Sequence, residues 1–273
     1  IITILKTSQY LRKHLFILIY FHIFIFMNVY IKSMDGFPLE DWGCSALLGF
    51  KANGANVILF EEIEEVPLNR NVLLVSSIDD TKSWFKRMGW IENPEMDTIP
   101  MELNDDKFLN RHVEYSTLKE VREYTNFPVF VKPRTLKQFD AGVIDNNLQL
   151  LWLSDLPNDT PCLISEVLDI ISEYRCYILE GKCVGVYNYL GDVFKFPDPG
   201  FINECIKKYE SAPSAYALDI GITSDWNFKG ECNKNVVIEC NDFWSLGNYG
   251  LSPKLYSRGL MLRWRELLDL NKI

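Results

Sequence analysis

The chain has 273 residues, 48% of them hydrophobic and 14% aromatic, which is ample for one large core or two modest ones and argues against disorder. A formal net charge of -9 and a pI of about 5.0 argue against general binding to nucleic-acid phosphate, which needs a basic surface. Seven cysteines, an odd number without CxxC spacing, read as reduced core thiols of a cytosolic protein, and three histidines (His14, His22, His112) leave little for a histidine-based metal or acid–base site.

The apolar run Leu15 to Ile31, preceded by Arg12 and Lys13, has the character of a signal peptide or short membrane anchor. No small-residue cleavage site follows it, His22 interrupts it, and Met27 opens "MNVYIKSMDG", which reads as a first strand. Residues 1–26 are therefore expected to be an extension outside the native fold. Residues 27–104 alternate strand and helix signals: "NVYIKS", a helix over Asp41 to Lys51, "NVILFE", "NVLLVSS", then a helix capped by Asp79 or Asp80 and stopped by Gly89. This pattern predicts a small, mostly parallel, Rossmann-like α/β domain.

The polar stretch Glu92 to Asp106 reads as a linker, and residues 105–273 as a second domain. Thr117 and Glu120 have capping-box spacing for a short helix to Tyr124. "FPVFVKP", "CLISEV", "YRCYILEGKCVGVYNYLG", "YALDIGI" and "NVVIEC" follow as strands, with a turn at Glu180 to Lys182 and a helix near Phe201 to Tyr209. Ser252-Pro253 starts a last helix through Leu268. The second half is thus mainly antiparallel sheet with a few helices.

Several of these strands end in polar side chains. Glu239 and Asn241 share a face because side chains alternate along a strand, and Asp219 ends another apolar run. If the two strands are neighbours, three oxygen-bearing groups converge, a set suited to Mg²⁺; each taken alone fits a solvated strand end equally well. Lys132 follows a buried-type strand and Lys137 lies within a turn of it, which makes either a phosphate clamp or two surface lysines. Glu173 and Arg175 share a face, as a phosphate-seeking fork or as an internal ion pair. Glu166, Val167, Leu168 and Asp169 leave a strand through a turn that can offer backbone groups to a purine and a carboxylate to a ribose.

In this order the pieces resemble the ATP-grasp superfamily, and within it the viral and bacterial clade marked by one arginine and two lysines. The resemblance covers roughly Asp106 to Leu268. It implies an ATP-grasp fold, α+β in class, behind a preceding α/β domain. Lys132 and Lys137 match the phosphate lysines, Glu166 to Asp169 the adenine hinge, Arg175 the clade arginine, and Asp219, Glu239 and Asn241 the magnesium ligands. One departure is that "RTLKQFDAGV" carries only Gly142 where many relatives have a glycine-rich lid.

What the resemblance implies is an ATP- and Mg²⁺-dependent carboxylate–amine ligase working through an acyl phosphate. Lys137 and Arg175 would be its catalytic residues and a peptide or protein a candidate acceptor. A phosphotransferase would use the same residues, and a nucleotide-binding module without turnover is the alternative from another class. A membrane-anchored interaction protein would rest only on the apolar run. The expected compartment is the cytoplasm, of the organism itself or, for a viral protein, of the infected host cell.

Overall fold

A computed structural model of the chain describes residues 27–90, 96–135, 138–224 and 234–271. The expected extension (1–26), Lys137 and Cys232 lie outside the described residues, as does the first part of the expected linker. By packing, the chain divides into two compact units, Ile1–Asn93 with Gly250–Ile273, and Pro94–Tyr249.

In the first unit, β1 (Asn28–Met34) pairs in parallel with β3 (Asn56–Phe60) and β4 (Val72–Val75), while the short β2 (Phe37–Pro38) turns back antiparallel on the end of β1. The β4 sequence VLLV is buried at every position, as expected of a strand covered on both faces. Helices α1 (Glu40–Ala52) and α2 (Ile78–Arg87) complete the strand–helix alternation. The cap of α2 is Ser77, whose Oγ accepts from the Asp80 N–H at 3.1 Å. Asp79 and Asp80, the expected caps, lie instead in the first turn, where their charge complements the helix dipole.

The last helix, Pro253–Leu270, packs in this first unit, although its sequence position grouped it with residues 105–273. The reason is aromatic. Trp264 lies 5.8 Å from Trp84 and 5.4 Å from Phe85, and its Nε1 donates to Val72 O at 2.6 Å. Trp90 stacks on Phe85 at 4.8 Å. Gly49 lets α1 approach this helix closely, since a Cβ there would stand 2.0 Å from Pro253 O.

The second unit holds two four-stranded antiparallel sheets. In chain order come α3 (Asp106–Leu109), β5 (Val113–Thr117), α4 (Leu118–Arg122), β6 (Val129–Pro133), β7 (Gly142–Ile144) and β8 (Pro161–Ser165), with the small sheet ordered β5-β8-β6-β7. The large sheet contains β9 (Ile170–Leu179), β10 (Lys182–Gly191), β11 (Ala215–Thr223) and β12 (Asn235–Asp242), ordered β10-β9-β11-β12, with α5 (Pro199–Lys208) between β10 and β11 in sequence. The β9–β10 hairpin turns at Glu180 and Gly181 with φ of 49° and 71°, the left-handed pair that matches strand twist. Thr117 and Glu120 form the expected capping box.

The linker reading is corrected for its described part. Met96, Ile99 and Leu103 are buried in a core cluster with Val113, Leu163, Ile220 and Val237. The Cys240 N–H donates to Thr98 O at 2.7 Å. Polar neighbours hide these widely spaced apolar anchors in the sequence. Among the described residues no helix is long and apolar enough to cross a membrane.

Candidate nucleotide and metal site

The antiparallel register of the large sheet brings three of the singled-out residues side by side. Asp219 on β11 stands opposite Arg175 on β9 and opposite Glu239 on β12. A register shift after Asp219 follows, and Asn241 lies opposite Ala217. Lys132 reaches Glu239 from the small sheet.

The contacts form one connected network. Arg175 binds Asp219 with two parallel bonds, Nε to Oδ1 at 2.8 Å and Nη2 to Oδ2 at 2.6 Å. Asn241 Nδ2 donates to Asp219 Oδ2 at 3.2 Å and to Glu239 Oε1 at 2.8 Å. Lys132 Nζ meets Glu239 Oε2 at 2.6 Å. Lys132, Arg175, Asp219 and Asn241 are all buried, Asp219 to 1% exposure.

Such burial penalises charge, and the pairs answer it. Burial pushes the Asp219 carboxyl up to about 6, Arg175 offsetting only part of the effect. Burial also opposes the Arg175 cation, but Asp219 outweighs it and the net shift is upward. Glu239 goes downward on balance because Lys132 overcomes its burial. The two-bond geometry requires Asp219 to accept through both oxygens, so the ionised pair is the state at neutral pH.

Two tyrosines hold the other sides of the guanidinium. Arg175 lies 4.9 Å from the Tyr249 ring centre and 5.7 Å from that of Tyr189, within cation–π range. Tyr189 donates its hydroxyl to Glu173 at 2.7 Å, so Glu173 serves the tyrosine and not Arg175 as an ion-pair partner. Neither ring was singled out in the sequence. The alternating aromatics of "VYNYLG" are the available signal, and only the β9–β10 register places them beside Arg175. In "DFWSLGNYG", Phe243, Trp244 and Leu246 are buried as an aromatic corner, while Tyr249 stays 49% exposed.

The hinge residues Glu166, Val167, Leu168 and Asp169 follow β8 outside this network. The Glu166 carboxylate accepts from the His112 N–H at 3.0 Å and borders a recess of about 220 Å³ with Glu114, Tyr124 and Asn126. Val129 and Ile164, which also line that recess, alternate with Lys132 and Leu163 along their strands, so it opens on the sheet face opposite Lys132. The peptide groups of Val167 and Leu168 make no hydrogen bond to other described residues. Lys137 lies outside the described residues.

Gly142 has a packing role. A Cβ there would stand 2.6 Å from Cη2 of Trp152, so the missing side chain makes room for the indole.

The oxygen set fits Mg²⁺ by its chemistry. Asp219 and Glu239 supply carboxylates, and Asn241, which touches both, can turn its amide oxygen inward. Among the described residues no three His, Cys, Asp or Glu side chains cluster as a metal-binding group, so the site rests on two carboxylates and an amide.

Comparison with solved structures gives ATP-grasp folds. D-alanine–D-alanine ligase from Bacillus anthracis matches at 12% identity over 91% of this chain and 100% of that chain, with a TM-score of 0.52. The ATP-grasp ligase PsnB, solved with precursor peptide PsnA2 and AMPPNP, matches at 13% identity over 88% and 97%, with a TM-score of 0.51. The ADP complex of PurK, N5-carboxyaminoimidazole ribonucleotide synthetase, matches at 10% identity over 88% and 78%, with a TM-score of 0.55. At these identities the likeness is one of fold. Among curated proteins none matches. The family model for the ATP-grasp domain of the arginine-and-two-lysine clade, family 2, matches residues 108–258, more than half of the chain. The chain belongs to that family of ATP-grasp domains.

Proposed function

We propose that this protein is an ATP- and Mg²⁺-dependent ligase that joins a carboxylate to an amine through an acyl phosphate. The observation that carries the reading is the connected set Lys132–Glu239–Asn241–Asp219–Arg175, two cations and two carboxylates buried together around one amide. A substrate carboxylate oxygen would attack the γ-phosphorus while the bond to ADP breaks. The amine would then attack the acyl carbon, phosphate would leave with the bonding electrons, and nitrogen would lose a proton.

In this chemistry the protein positions charge and provides no nucleophile. Lys132 and Arg175 exchange their carboxylates for phosphate oxygens. That exchange frees Asp219 and Glu239, with Asn241, as ligands for Mg²⁺. When bound, the ion neutralises charge on the phosphates. Tyr189 and Tyr249 keep the Arg175 plane in place. Lys137 completes the phosphate clamp, and the peptide groups of Val167 and Leu168 meet the adenine edge, with the Asp169 carboxylate beside the ribose. One fold relative, PsnB, was solved with a precursor peptide, which supports a peptide or protein as acceptor. The free thiols of Cys162, Cys176, Cys205 and Cys240 fit the reducing cytoplasm.

The test is calorimetric titration with a non-hydrolysable ATP analogue, with and without Mg²⁺. Tight binding only with both together, weakened by Lys132→Met, is the expected result. No binding by folded protein would overturn the reading. One observation favours a second reading, a nucleotide-binding module without turnover: the one glycine between β6 and β7 serves Trp152 packing. ADP release with acid–amine pairs separates the two. In the ligase, Glu239→Gln should slow it by about 10²–10³.

A further inference from the structure

Arg111 is a buried cation without a counter-charge. It is 9% exposed. Its Nη1 donates to Leu109 O at 3.1 Å and to Val237 O at 3.0 Å, both of them neutral carbonyls. No carboxylate pairs with it among the described residues. Burial alone pulls its pKa down, to about 10. Lys132 and Arg175, the other buried cations of this unit, each have a carboxylate at 2.6 Å. A buried charge left in this condition is strongly disfavoured unless something else supplies the opposite sign.

The carbonyl contacts explain one nitrogen. Nη1 ties the end of α3 to the edge of β12, a task that needs a donor and not a charge. Nε and Nη2 remain without a protein acceptor among the described residues.

Its place in the fold narrows the choice of ligand. Arg111 stands two residues before Val113, on the same side of the chain as it enters β5, and Val113 belongs to the core cluster with Leu163 and Val237. The next residue, His112, bonds Glu166 at the start of the hinge. Val237 lies two residues before Glu239 on β12. Arg111 thus sits between the hinge and the charged network.

We propose that Arg111 is an anion-binding residue for the inner, α-phosphate of the nucleotide. The inference rests on the ATP reading above. With the base at the hinge and the outer phosphates at Lys132 and Arg175, the inner phosphate is the anion that falls between them. The guanidinium fork offers it Nε and Nη2.

The test is calorimetry of the full chain with adenosine, AMP and ADP, in wild type, Arg111→Gln and Arg111→Lys. Glutamine keeps an amide donor for the carbonyls and removes the charge; lysine keeps the charge and removes the fork. In wild type, AMP should bind more tightly than adenosine. Arg111→Gln should cut that gain by about 10- to 100-fold, the usual worth of a charged hydrogen bond, with adenosine affinity within about twofold of wild type. Arg111→Lys should shrink it by a smaller factor, about 3-fold or more, so either variant alone can decide the matter should the other not fold. An unchanged adenosine-to-AMP gain, or equal losses for adenosine and AMP, would leave Arg111 as a carbonyl clamp and overturn the proposal. Wild-type protein that binds no nucleotide would remove the ATP reading itself. Nucleotide binding with an unaltered gain removes this inference alone.

Discussion

In the unit built on the parallel sheet, the buried centre is aromatic: Trp84, Phe85, Trp90 and Trp264 lie against one another, with Phe50 and Phe60 also buried. Among its described residues the buried charge is Arg263, paired with Glu266 one turn along the same helix. The unit built on two antiparallel sheets instead buries Arg111, Lys132, Arg175, Asp219 and Asp242. Apolar burial stabilises a fold directly, whereas a buried ion pair returns about what its desolvation takes. Charge concentrated in one unit is therefore poorly explained by stability, and function is what it serves.

The sharpest way to break that comparison is to remove one aromatic and one charge and compare the losses. Trp84→Ala should destabilise by about 3–5 kcal/mol in denaturant titration, the usual range for a buried tryptophan. A loss under about 1 kcal/mol would mean that the aromatic cluster is not what holds the first unit. Asp219→Ala should also be severe, about 3–5 kcal/mol, because Arg175 is left buried and unpaired. The informative partner is the double variant Arg175→Met/Asp219→Leu. It should recover most of that stability while losing binding of nucleotide with Mg²⁺. A double variant as unstable as the single one would show that the pair is structural.

Smaller effects refine the contrast. Gly142→Ala should lose about 1–3 kcal/mol by overpacking, towards the lower end because Trp152 is 42% exposed and its ring can give way. Combining it with Trp152→Leu should lose less than the two single variants added together, the mark of direct contact. The pH dependence is smaller still. Asp219 titrates near 6 in the fold against an ordinary 3.8. Its stabilising contribution is therefore full below pH 3.8 and is lost as pH rises through about 6. Metal binding needs the ionised form and runs the other way. Analogue affinity in the presence of Mg²⁺ should fall about 3- to 5-fold between about pH 7.5 and 5.5, and that fall should vanish in Asp219→Asn.

Much of this was legible in the sequence because strands announce themselves by period. Glu239 and Asn241 had to share a face, and a long antiparallel pairing of two apolar runs left few registers in which Asp219 was not beside them. What escaped lacked such a signal. β5 reads VEYST, with Glu114 and Ser116 diluting its apolar face. Ile99 and Leu103 are isolated anchors among polar neighbours. Arg111 stands at a loop-to-strand junction, where a basic residue looks like any surface charge until burial is known. The role of Gly142 depends on Trp152, ten positions away, and no local pattern links them.

The close approach at Gly49 has a consequence for how the protein is made. The first unit is begun early and finished last, because the helix that covers Trp84 is translated only after all of Pro94–Tyr249. At ribosomal speeds of about 5–20 residues per second, that interval is roughly 10–30 s. Throughout it the nascent chain carries an uncovered aromatic face, and the usual order of domain completion, N-terminal first, is inverted. A chaperone that meets this chain on the ribosome has its longest opportunity at α2, far from the residues that handle charge.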